Sequence, residues 1–567
     1  MRPSRKSVRV GAVGVLVGAL LMTATGAIAL SDRHQNAGVM RLNGGESMSM
    51  SCADPALSWS QTDVRDGMAT CTADDTTSTT VPATTTTTGA PTTTTGAPTT
   101  TTTPVTGSSG CGLAQAAFCD NFSEGVSQGG RAGELDAALW SVTRDVGEQD
   151  ATDLMPFPST PASACQSGVT TVNADNDILV CDSASGHQGQ ILTAMSAQNY
   201  ALLSMRPRQP FDFAGRSGTI SYNVDALTEG GLSWWTSLAV TDTPQAGVAN
   251  SSQVLGLLPD NGVLVNFDAD CNDPGHEVGV TAVYTYTNYV ETDITNPNVN
   301  TNCVSTARGE LNHIQVQLSQ SNIAIYASPA YTGTNVPPAQ LLFSTPISLN
   351  FTRGYVHFQQ QERAPLKYAS LFNISPGYTN NYWSDFAFDG PVVNTGEVGY
   401  SIPDALTPDP SDATQSQDLG APNVGYAILS DPSSIDTCCH GSTPTPIAPF
   451  AVPNVNLTGV TSAMLTLDVA YTYAFGLTTS NVALQYSVNG GPWLNPSSQP
   501  NYPAEQVCSS CPGPEGGDGV PYAFSVPVAD LVQGTNTVTF RVVNGIDSYP
   551  PVLTSVDLLS FTGSGPL

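Results

Sequence analysis

Basic residues are scarce in this sequence. Lys6 and Lys367 are the only two lysines in 567 residues, and 17 Lys+Arg stand against 47 Asp+Glu, which gives a formal net charge of -30 and a pI near 4.1. A surface of this sign repels a phosphate backbone, so nucleic acid is excluded as an expected partner. The chain also lacks the G-K-[ST] loop that cradles nucleotide phosphates.

The signatures of other common enzyme classes are missing as well. No G-x-S-x-G sequence marks the nucleophile elbow of an α/β-hydrolase, and no long helical periodicity occurs in residues 111–392. The sequence HEVGV, which begins at His276, lacks the second histidine that completes a zinc-protease helix. We therefore expect no nucleotide-phosphate loop, no α/β-hydrolase active site and no zinc-protease active site.

A basic start followed by an apolar run is typical of an export signal. MRPSRKSVRV precedes GAVGVLVGALLMTATGAIAL, which ends in the small-residue cleavage pattern Ala27-Ile28-Ala29. We expect residues 1–29 to be a signal peptide and the mature chain to be extracellular, either secreted or attached to the cell surface. The run is also long enough to span a bilayer, so an uncleaved anchor is the alternative, and only then would the protein contact a membrane.

The cysteines of an exported chain predict disulfides, and this chain has twelve. Neighbour pairing is the simplest arrangement for four local groups. It joins Cys52 to Cys71, Cys111 to Cys119, Cys165 to Cys181 and Cys271 to Cys303. The adjacent Cys438 and Cys439 would form a strained bond, which favours cross-pairing with Cys508 and Cys511. With His440 they also have a spacing suited to zinc, but an oxidising compartment favours disulfides.

Composition divides the remaining chain into four expected parts. Residues 30–75 form a small segment looped by cysteines, and residues 76–110 form a Thr/Pro-rich linker in which GAPTTTT repeats. Such a tract has nothing with which to build a core and stays extended and solvated. Two larger units follow, residues 111–392 and residues 393–567.

Alternating apolar and polar residues predict strands throughout residues 111–392. HIQVQLSQSNIAIYAS places Ile314, Val316 and Leu318 at alternate positions, then turns and resumes with Ile323 and Ile325, which is the pattern of a hairpin. Many short strands over this length predict an all-β fold, a two-sheet sandwich or jelly roll. Residues 393–567 show the same alternation, and Asn489-Gly490 is a tight-hairpin signal, so we expect a second, smaller β-sandwich there.

Four stretches carry a resemblance to a known family. They are FCDNFS, GELDAALWSVTR, FDFAGRSGTISYNVD and YWSDFAFDGP, near the start, middle and end of residues 111–392. In their strand-and-turn pattern these residues resemble the concanavalin A-like lectin/glucanase superfamily, especially its exported bacterial family-16-like members. The resemblance implies a curved jelly roll whose concave sheet carries a carbohydrate groove. DLVQGTNTVTFRV, which begins at Asp530, more loosely resembles galactose-binding-like jelly rolls, which are often accessory carbohydrate-binding modules.

The catalytic motif of that superfamily is absent. Hydrolytic members carry E-x-D-x-x-E on a concave strand, because the chemistry needs two carboxylates on one face. The corresponding stretch here is GGLSWWTSLAVTDTP, residues 230–244, in which Trp234, Thr236 and Leu238 occupy alternate positions and no glutamate occurs. The nearest imitation is ETDITN, with Glu291 and Asp293 but asparagine last. We therefore do not expect retaining glycosidase activity.

Aromatic, histidine and amide side chains supply the candidates for sugar binding. Aromatic rings offer apolar faces to the C–H surface of a sugar, and amides bind its hydroxyls. Adjacent tryptophans in a strand face opposite ways, so only one of the pair can reach a groove. Packing of the aromatic side chains in a sandwich core is the alternative. The candidate set is Trp234, Trp235, Tyr284, Tyr286, Tyr289, His357, Gln359 and Gln361.

A short acidic loop suggests calcium as an optional cofactor, and we expect no other cofactor. DADCNDPG places Asp268, Asp270 and Asn272 at alternate positions, and such oxygen ligands suit calcium. The glycine expected after the third ligand is replaced by Asp273.

The sequence thus predicts a secreted or surface-tethered, noncatalytic carbohydrate-binding protein whose partner is a polysaccharide or cell-surface glycan. A divergent glycoside hydrolase or polysaccharide lyase, using Glu291, Asp293 or Glu362, is one alternative. A surface structural or adhesion protein without sugar affinity is another.

Overall fold

The computed structural model divides the chain into two compact units, Met1–Thr99 and Thr100–Leu567. In the first unit the structure describes six strands. In the second it describes residues 108–123, 132–146, 165, 178–182, 186–196, 201–225, 235–248, 258–268, 271, 276–295, 302–307, 309–362, 378–401, 426–427, 449–470, 483–496, 519–543 and 552–563. The predicted signal and the Thr-rich tract up to residue 107 lie outside the described residues.

The strands of the first unit are short. They are β1 Ala37–Arg41, β2 Ser47–Ser51, β3 Leu57–Ser58, β4 Val64–Arg65, β5 Met68–Ala69 and β6 Thr72–Ala73. They pair antiparallel as β1 with β2, β3 with β6 and β4 with β5.

The second unit begins with a sandwich built from strands β7 to β24, which we call the first sandwich. These strands are β7 Ser108–Gly110, β8 Leu113–Asp120, β9 Trp140–Val146, β10 Ile178–Val180, β11 Ile191–Ser196, β12 Ala201–Pro207, β13 Phe211–Asp212, β14 Gly218–Val224, β15 Trp235–Thr241, β16 Asn261–Asp268, β17 Glu277–Thr287, β18 Val290–Asp293, β19 Val304–Ser305, β20 Asn312–Leu318, β21 Asn322–Ala327, β22 Gln340–Pro346, β23 Arg353–Glu362 and β24 Tyr378–Asp389.

Two antiparallel sheets make up the first sandwich. One runs β10-β11-β24-β14-β20-β21-β22, with β8 on β24 and β7 on β8, and the other runs β18-β17-β16-β15-β23-β12-β9, with β13 on β23 and β19 on β17. Strands far apart in the sequence are neighbours, since β24 lies between β11 and β14 and β23 lies between β12 and β15. This order is jelly-roll-like rather than a simple meander. The predicted all-β fold class is confirmed.

Alternation of apolar residues places the core of the first sandwich between its sheets. In β20, Ile314, Val316 and Leu318 are buried at every second position, as predicted, and they join one apolar cluster with residues of the facing sheet such as Val265 and Phe358. Successive side chains of a strand point to opposite faces, so the residues between them point away from this core.

Aromatic rings fill the middle of that core. The Phe386 ring lies 4.2 Å from that of Phe358 and 5.4 Å from that of Trp140, centroid to centroid, so β24 of one sheet meets β23 and β9 of the other. Trp140 is fully buried, and its indole N–H donates to Asp120 Oδ2 at 2.7 Å. The polar atom of the ring is therefore satisfied inside an apolar environment.

Disulfides connect Cys111 to Cys119, Cys165 to Cys181 and Cys271 to Cys303. These are three of the four neighbour pairings predicted from the sequence, and they are confirmed. Each closes a local loop, the longest of sequence separation 32. Bridges of this kind are typical of proteins that fold in an oxidising compartment.

The fourth neighbour pairing, between Cys52 and Cys71, is not confirmed. Neither Cys52 nor Cys71 is among the residues that the structure describes, although the short strands β5 and β6 lie on either side of Cys71. This bridge therefore stays a prediction. The same holds for the cross-pairing expected at the C-terminal end of the chain, whose members also lie outside the described residues: Cys438, Cys439, Cys508 and Cys511.

The second unit ends in a smaller sandwich, which we call the C-terminal sandwich. Its strands are β25 Glu397–Ser401, β26 Tyr426–Ala427, β27 Phe450–Val455, β28 Ser462–Ala470, β29 Ala483–Val488, β30 Gly519–Val526, β31 Gly534–Val543 and β32 Val552–Phe561, with a short 3-10 helix at Val528–Asp530. One sheet runs β25-β32-β28-β30 with β26 on β32, and the other runs β27-β31-β29. Both contribute to one core, which includes Leu465, Phe524 and Val538.

The predicted hairpin turn at Asn489-Gly490 is confirmed. Both residues have positive φ, 53° and 69°, and Gly491 N–H donates to Val488 O at 2.9 Å to close the turn. Asparagine and glycine tolerate this left-handed conformation, which two-residue hairpin turns require. Among the residues that the structure describes, no helix has the length and apolarity needed to cross a membrane.

Candidate functional site

The sheet that contains β15 and β23 has one face on the core and one face turned away from it, which we call the outward face. On β15, Leu238 and Val240 belong to the core, so Ser237, Ala239 and Thr241 point outward. Leu238, which alternates with Trp234 and Thr236 in the sequence, is 1% exposed and packs between the sheets. Sequence alternation shows which residues share a face, but it does not show which face is covered.

A row of hydroxyl and amide side chains crosses the outward face on five adjacent strands. Strand register places Thr143 opposite Ser204, Ser204 opposite Gln359, Gln359 opposite Ser237, and Ser237 opposite Asn266. We call these five residues the polar row. Ser237 Oγ donates to Gln359 Oε1 at 3.1 Å, and Gln359 Nε2 donates to Ser204 Oγ at 3.1 Å.

His357 lies beside the polar row between two hydroxyls. Its Nδ1 is 3.3 Å from Ser204 Oγ and its Nε2 is 3.0 Å from Thr241 Oγ1. Burial lowers the pKa of His357 to about 3, and the positive charge of Arg206 acts in the same direction. The imidazole is therefore neutral at physiological pH and serves as a hydrogen-bonding group, with one nitrogen donating and the other accepting.

This shift predicts a dependence of stability on pH. The unfolded chain binds a proton near the ordinary pKa of 6.5, whereas the folded chain binds it only near 3, so unfolding takes up a proton between these values. We expect the free energy of unfolding to fall as the pH drops through this window, by about 1.4 kcal/mol for each unit of pKa difference. Urea unfolding of the wild type and of His357→Gln at pH 7.5, 5.5 and 4 measures it. Parallel pH curves for the two proteins would contradict the assignment.

Asn266 closes the polar row and has unused hydrogen-bonding capacity. The residue is fully buried, and neither Nδ2 nor Oδ1 has a hydrogen-bond partner among the described residues. A buried amide without partners costs about 1–3 kcal/mol relative to a satisfied one. A ligand or water that supplies one donor and one acceptor would remove this cost.

The tyrosines of β17 that the sequence singled out lie at the other end of the outward face. Tyr284 and Tyr286 are 6% and 1% exposed and form a small apolar cluster with Val248, Leu258 and Leu264. Their rings pack beneath the segment that follows β15, as a minor core. Tyr289 lies in the turn between β17 and β18 with φ of 64°.

Several other candidates are described only in part. Trp234 lies outside the described residues, and for Trp235 and Gln361 the structure describes the backbone, which pairs between β15 and β23. Glu291 and Asp293 lie on β18, at the far edge of the sheet from β9. Sugar contact by any of these residues stays a prediction.

The predicted calcium loop lies largely outside the described residues. Asp268 ends β16, whereas Asp270 and Asn272 lie outside the described residues. Where side chains are described, no group of three or more His, Cys, Asp or Glu is placed to hold a metal ion. Calcium binding stays a prediction.

The outward face ends against the C-terminal sandwich. Arg206, which follows Ser204 on the same face of β12, binds both carboxylate oxygens of Glu397 on β25, at 2.7 Å and 3.2 Å. Arg208 Nη1 binds Glu397 Oε1 at 2.8 Å. We call Arg206, Arg208 and Glu397 the ionic link. Its side chains are 3%, 7% and 1% exposed, so three charges are buried where the two sandwiches meet.

Neighbouring contacts hold the ionic link in place. The Arg206 guanidinium lies 5.0 Å from the centre of the Tyr355 ring, and Ser141 Oγ donates to Asp557 Oδ2 at 3.4 Å. A Cβ at Gly399 would collide with the Arg208 guanidinium, so glycine allows β25 to approach. Burial alone would lower the pKa of Arg206, but the charge and hydrogen bonds of Glu397 outweigh it and leave that pKa raised. Arg206 is therefore charged.

A cavity of about 170 Å³ lies at this junction. Its lining includes Leu139, Arg208, Val393 and Glu397. Since the charged groups in its wall already bind each other, it offers few free polar atoms to a ligand.

Sequence reasoning named His357 and Gln359 as candidates but not the hydroxyl and amide residues around them. Ser204, Ser237 and Thr241 are common residue types in strands, and Asn266 carries no motif. Only the strand register brings them side by side.

Comparisons with known proteins give no family. No protein-family model matches the chain, and no curated protein matches it. Solved structures with a similar arrangement include a β-glucanase of Bacillus licheniformis, 12% identical over 48% of this chain and 97% of its own, with a TM-score of 0.28. Peanut lectin is 10% identical over 49% of this chain and 98% of its own, with a TM-score of 0.25.

A family 16 glycosyl hydrolase protein from Mycobacterium smegmatis is 11% identical over 48% of this chain and 99% of its own, with a TM-score of 0.26. At identities and TM-scores this low we infer nothing about activity from these structures. The all-β fold class rests on the strand order and core packing of this chain itself.

Proposed function

We propose that this protein is an extracellular, noncatalytic carbohydrate-binding protein whose first sandwich binds a polysaccharide at the polar row. The observation that carries the proposal is the row itself: hydroxyl and amide groups on five adjacent strands, ending at an amide with no partner among the described residues. These side chains are at most 4% exposed, so binding requires displacement of the chain that covers the row, which includes Ala246. Each hydroxyl of a sugar both donates and accepts a hydrogen bond, so a row of such groups matches the edge of a pyranose ring.

The same row argues against hydrolysis. Glycosidases of the usual kind need two carboxylates that flank the scissile bond. Of the outward side chains that the structure describes on β12, β15, β16 and β23, none is Asp or Glu. Neutral His357 cannot supply a negative charge in place of a carboxylate.

Asn266 provides the test of the proposal. In the full-length protein, Asn266→Ala removes the free amide, and we expect binding to a polysaccharide to weaken about three- to tenfold, which corresponds to one hydrogen bond of about 0.5–1.5 kcal/mol. The measurement is depletion of purified protein from solution by a panel of insoluble polysaccharides, with dissociation constants for any polymer that depletes it.

The matched control is Asn381→Ala. Asn381 is also fully buried, and neither amide atom has a hydrogen-bond partner among the described residues, but it lies on β24 of the other sheet, two residues from the core residue Trp383. Its replacement should leave the dissociation constant unchanged. Equal weakening by the two variants, or no depletion by any polymer, would contradict the proposal. New reducing or unsaturated ends on a polymer would instead favour a hydrolase or lyase.

A further inference from the structure

Among the described residues of the C-terminal sandwich, Trp493 carries the exposed aromatic ring. Trp493 is 38% exposed, and the other exposed large hydrophobic side chains in the described part of the chain are the aliphatic residues Leu139, Val290, Val336, Leu341, Val392, Val398 and Val532. Trp493 follows the Asn489-Gly490 turn, and an isolated bridge between Tyr486 and Leu494 lays its segment alongside β29. Exposure of so large and mostly apolar a ring is uncommon in a folded protein.

Arg541 holds that indole from one side. Its guanidinium carbon lies 4.3 Å from the centre of the Trp493 ring, over its face. Arg541 Nε and Nη2 donate to Gln485 Oε1 at 2.8 Å and 2.6 Å, and Gln485 Nε2 donates to Asn495 Oδ1 at 3.0 Å. We call these four residues the indole site. Since the cation covers one face of the ring, the opposite face provides its exposed area.

The polar atoms beside the ring that remain free are hydrogen-bond donors. Both acceptor oxygens, Gln485 Oε1 and Asn495 Oδ1, are already engaged, while Arg541 Nη1 and Asn495 Nδ2 have no hydrogen bond within the described part of the chain. No carboxylate in the described residues forms an ion pair with Arg541. A ligand at the indole site must therefore combine an apolar face with acceptor oxygens at its edge.

We propose that the indole site is a second carbohydrate-binding site, which takes a neutral pyranose unit of a polysaccharide. The C–H face of the sugar packs on the free face of Trp493, and its hydroxyl oxygens accept hydrogen bonds from Arg541 and Asn495. A neutral sugar is favoured over an acidic one because the chain carries a net charge of -30 and repels polyanions at long range. The site is on a different sandwich from the polar row, so it extends the proposed function without depending on it.

Affinity electrophoresis of the full-length protein tests the proposal. The gels contain hydroxyethylcellulose, laminarin, soluble starch, galactomannan or polygalacturonate, and retardation by each polymer yields a dissociation constant. We expect retardation by at least one neutral polymer, weakened about three- to tenfold by Trp493→Ala and less by Trp493→Phe, because phenylalanine keeps part of the apolar platform. Arg541→Gln should also weaken it.

Val398→Ala is the matched control, because Val398 is an exposed apolar residue of the same sandwich, 46% exposed, on β25 of the sheet that does not contain β29 and β31. Unfolding midpoints of all variants confirm that each is folded. Retardation unchanged in Trp493→Ala, or retardation by polygalacturonate alone, would overturn the proposal. Loss of binding in Asn266→Ala with full binding in Trp493→Ala would refute the indole site alone, and the reverse result would refute the polar row alone. No retardation of the wild type by any polymer would refute both.

Discussion

Replacement of Glu397 by alanine is expected to lower the free energy of unfolding by about 3–5 kcal/mol. The reason is not the attraction that is lost but the two charges that remain. Arg206 and Arg208 are 3% and 7% exposed, and without Glu397 neither keeps a direct ion pair with a described carboxylate, although the charge of Asp557 still acts on Arg206. An unpaired buried charge is among the most costly features a folded protein can contain. Urea unfolding of the full-length protein, followed by tryptophan fluorescence, measures the effect.

Arg353→Ala serves as the comparison for the ionic link. Arg353 also pairs with a carboxylate, that of Asp212, but its side chain is 32% exposed, so water compensates for the loss. Its replacement should cost about 0–1 kcal/mol, as for other ion pairs near the surface. Similar losses in the two variants would show that the ionic link is solvated and that its burial has no energetic role. A hydrophobic replacement of all three linked charges is expected to recover most of the stability lost by Glu397→Ala.

Phe386→Ala is expected to cost about 3–5 kcal/mol, the usual range for an aromatic side chain removed from a packed core. Phe386 is fully buried and its ring lies within 6.0 Å of those of Phe122, Trp140, Tyr222, Phe358 and Trp383. These rings come from both sheets, so they cannot all close around the cavity that alanine leaves. The midpoint of urea unfolding should fall without a change in its slope.

Phe351→Ala is the control for the core. Phe351 is only partly buried and packs at the margin of the same cluster, with its ring 5.8 Å from that of Phe213. We expect a clearly smaller loss of stability, because solvent can occupy part of the space. Equal losses for the two variants would mean that the centre and the margin of the core are equally well packed, contrary to the structure.

Much of the fold could be predicted because strands repeat with a period of two. The alternation of Ile314, Val316 and Leu318 predicted both a strand and its buried face. The turn at Asn489-Gly490 was predictable because few other residue pairs adopt two successive left-handed conformations. Local cysteine spacing likewise predicted the three disulfides that the structure describes, while the bridge from Cys52 to Cys71 awaits a test.

The candidate site was less predictable, because both faces of its sheet are covered. On β15, Leu238 packs in the main core while its neighbour Ala239 packs in the small cluster around Tyr284. An alternating pattern cannot separate two faces that are both partly apolar, so the sequence left open which face carries a groove. The polar row depends on the register of five strands, which no local signal encodes. The contact between Trp493 and Arg541 was equally unpredictable, because it depends on the pairing of β29 with β31.

The ionic link has a consequence for how freely the two sandwiches can be combined or separated. Composition places a boundary near residue 392, yet Glu397, beyond it, neutralises arginines that lie 191 and 189 residues earlier in the chain. A fragment ending at residue 392 would retain Arg206 and Arg208 without their counter-charge, and a fragment beginning there would carry Glu397 into water. The C-terminal sandwich is therefore not a module that can be exchanged or deleted at will. A different sandwich packed on the same face would have to supply an acidic residue opposite both arginines.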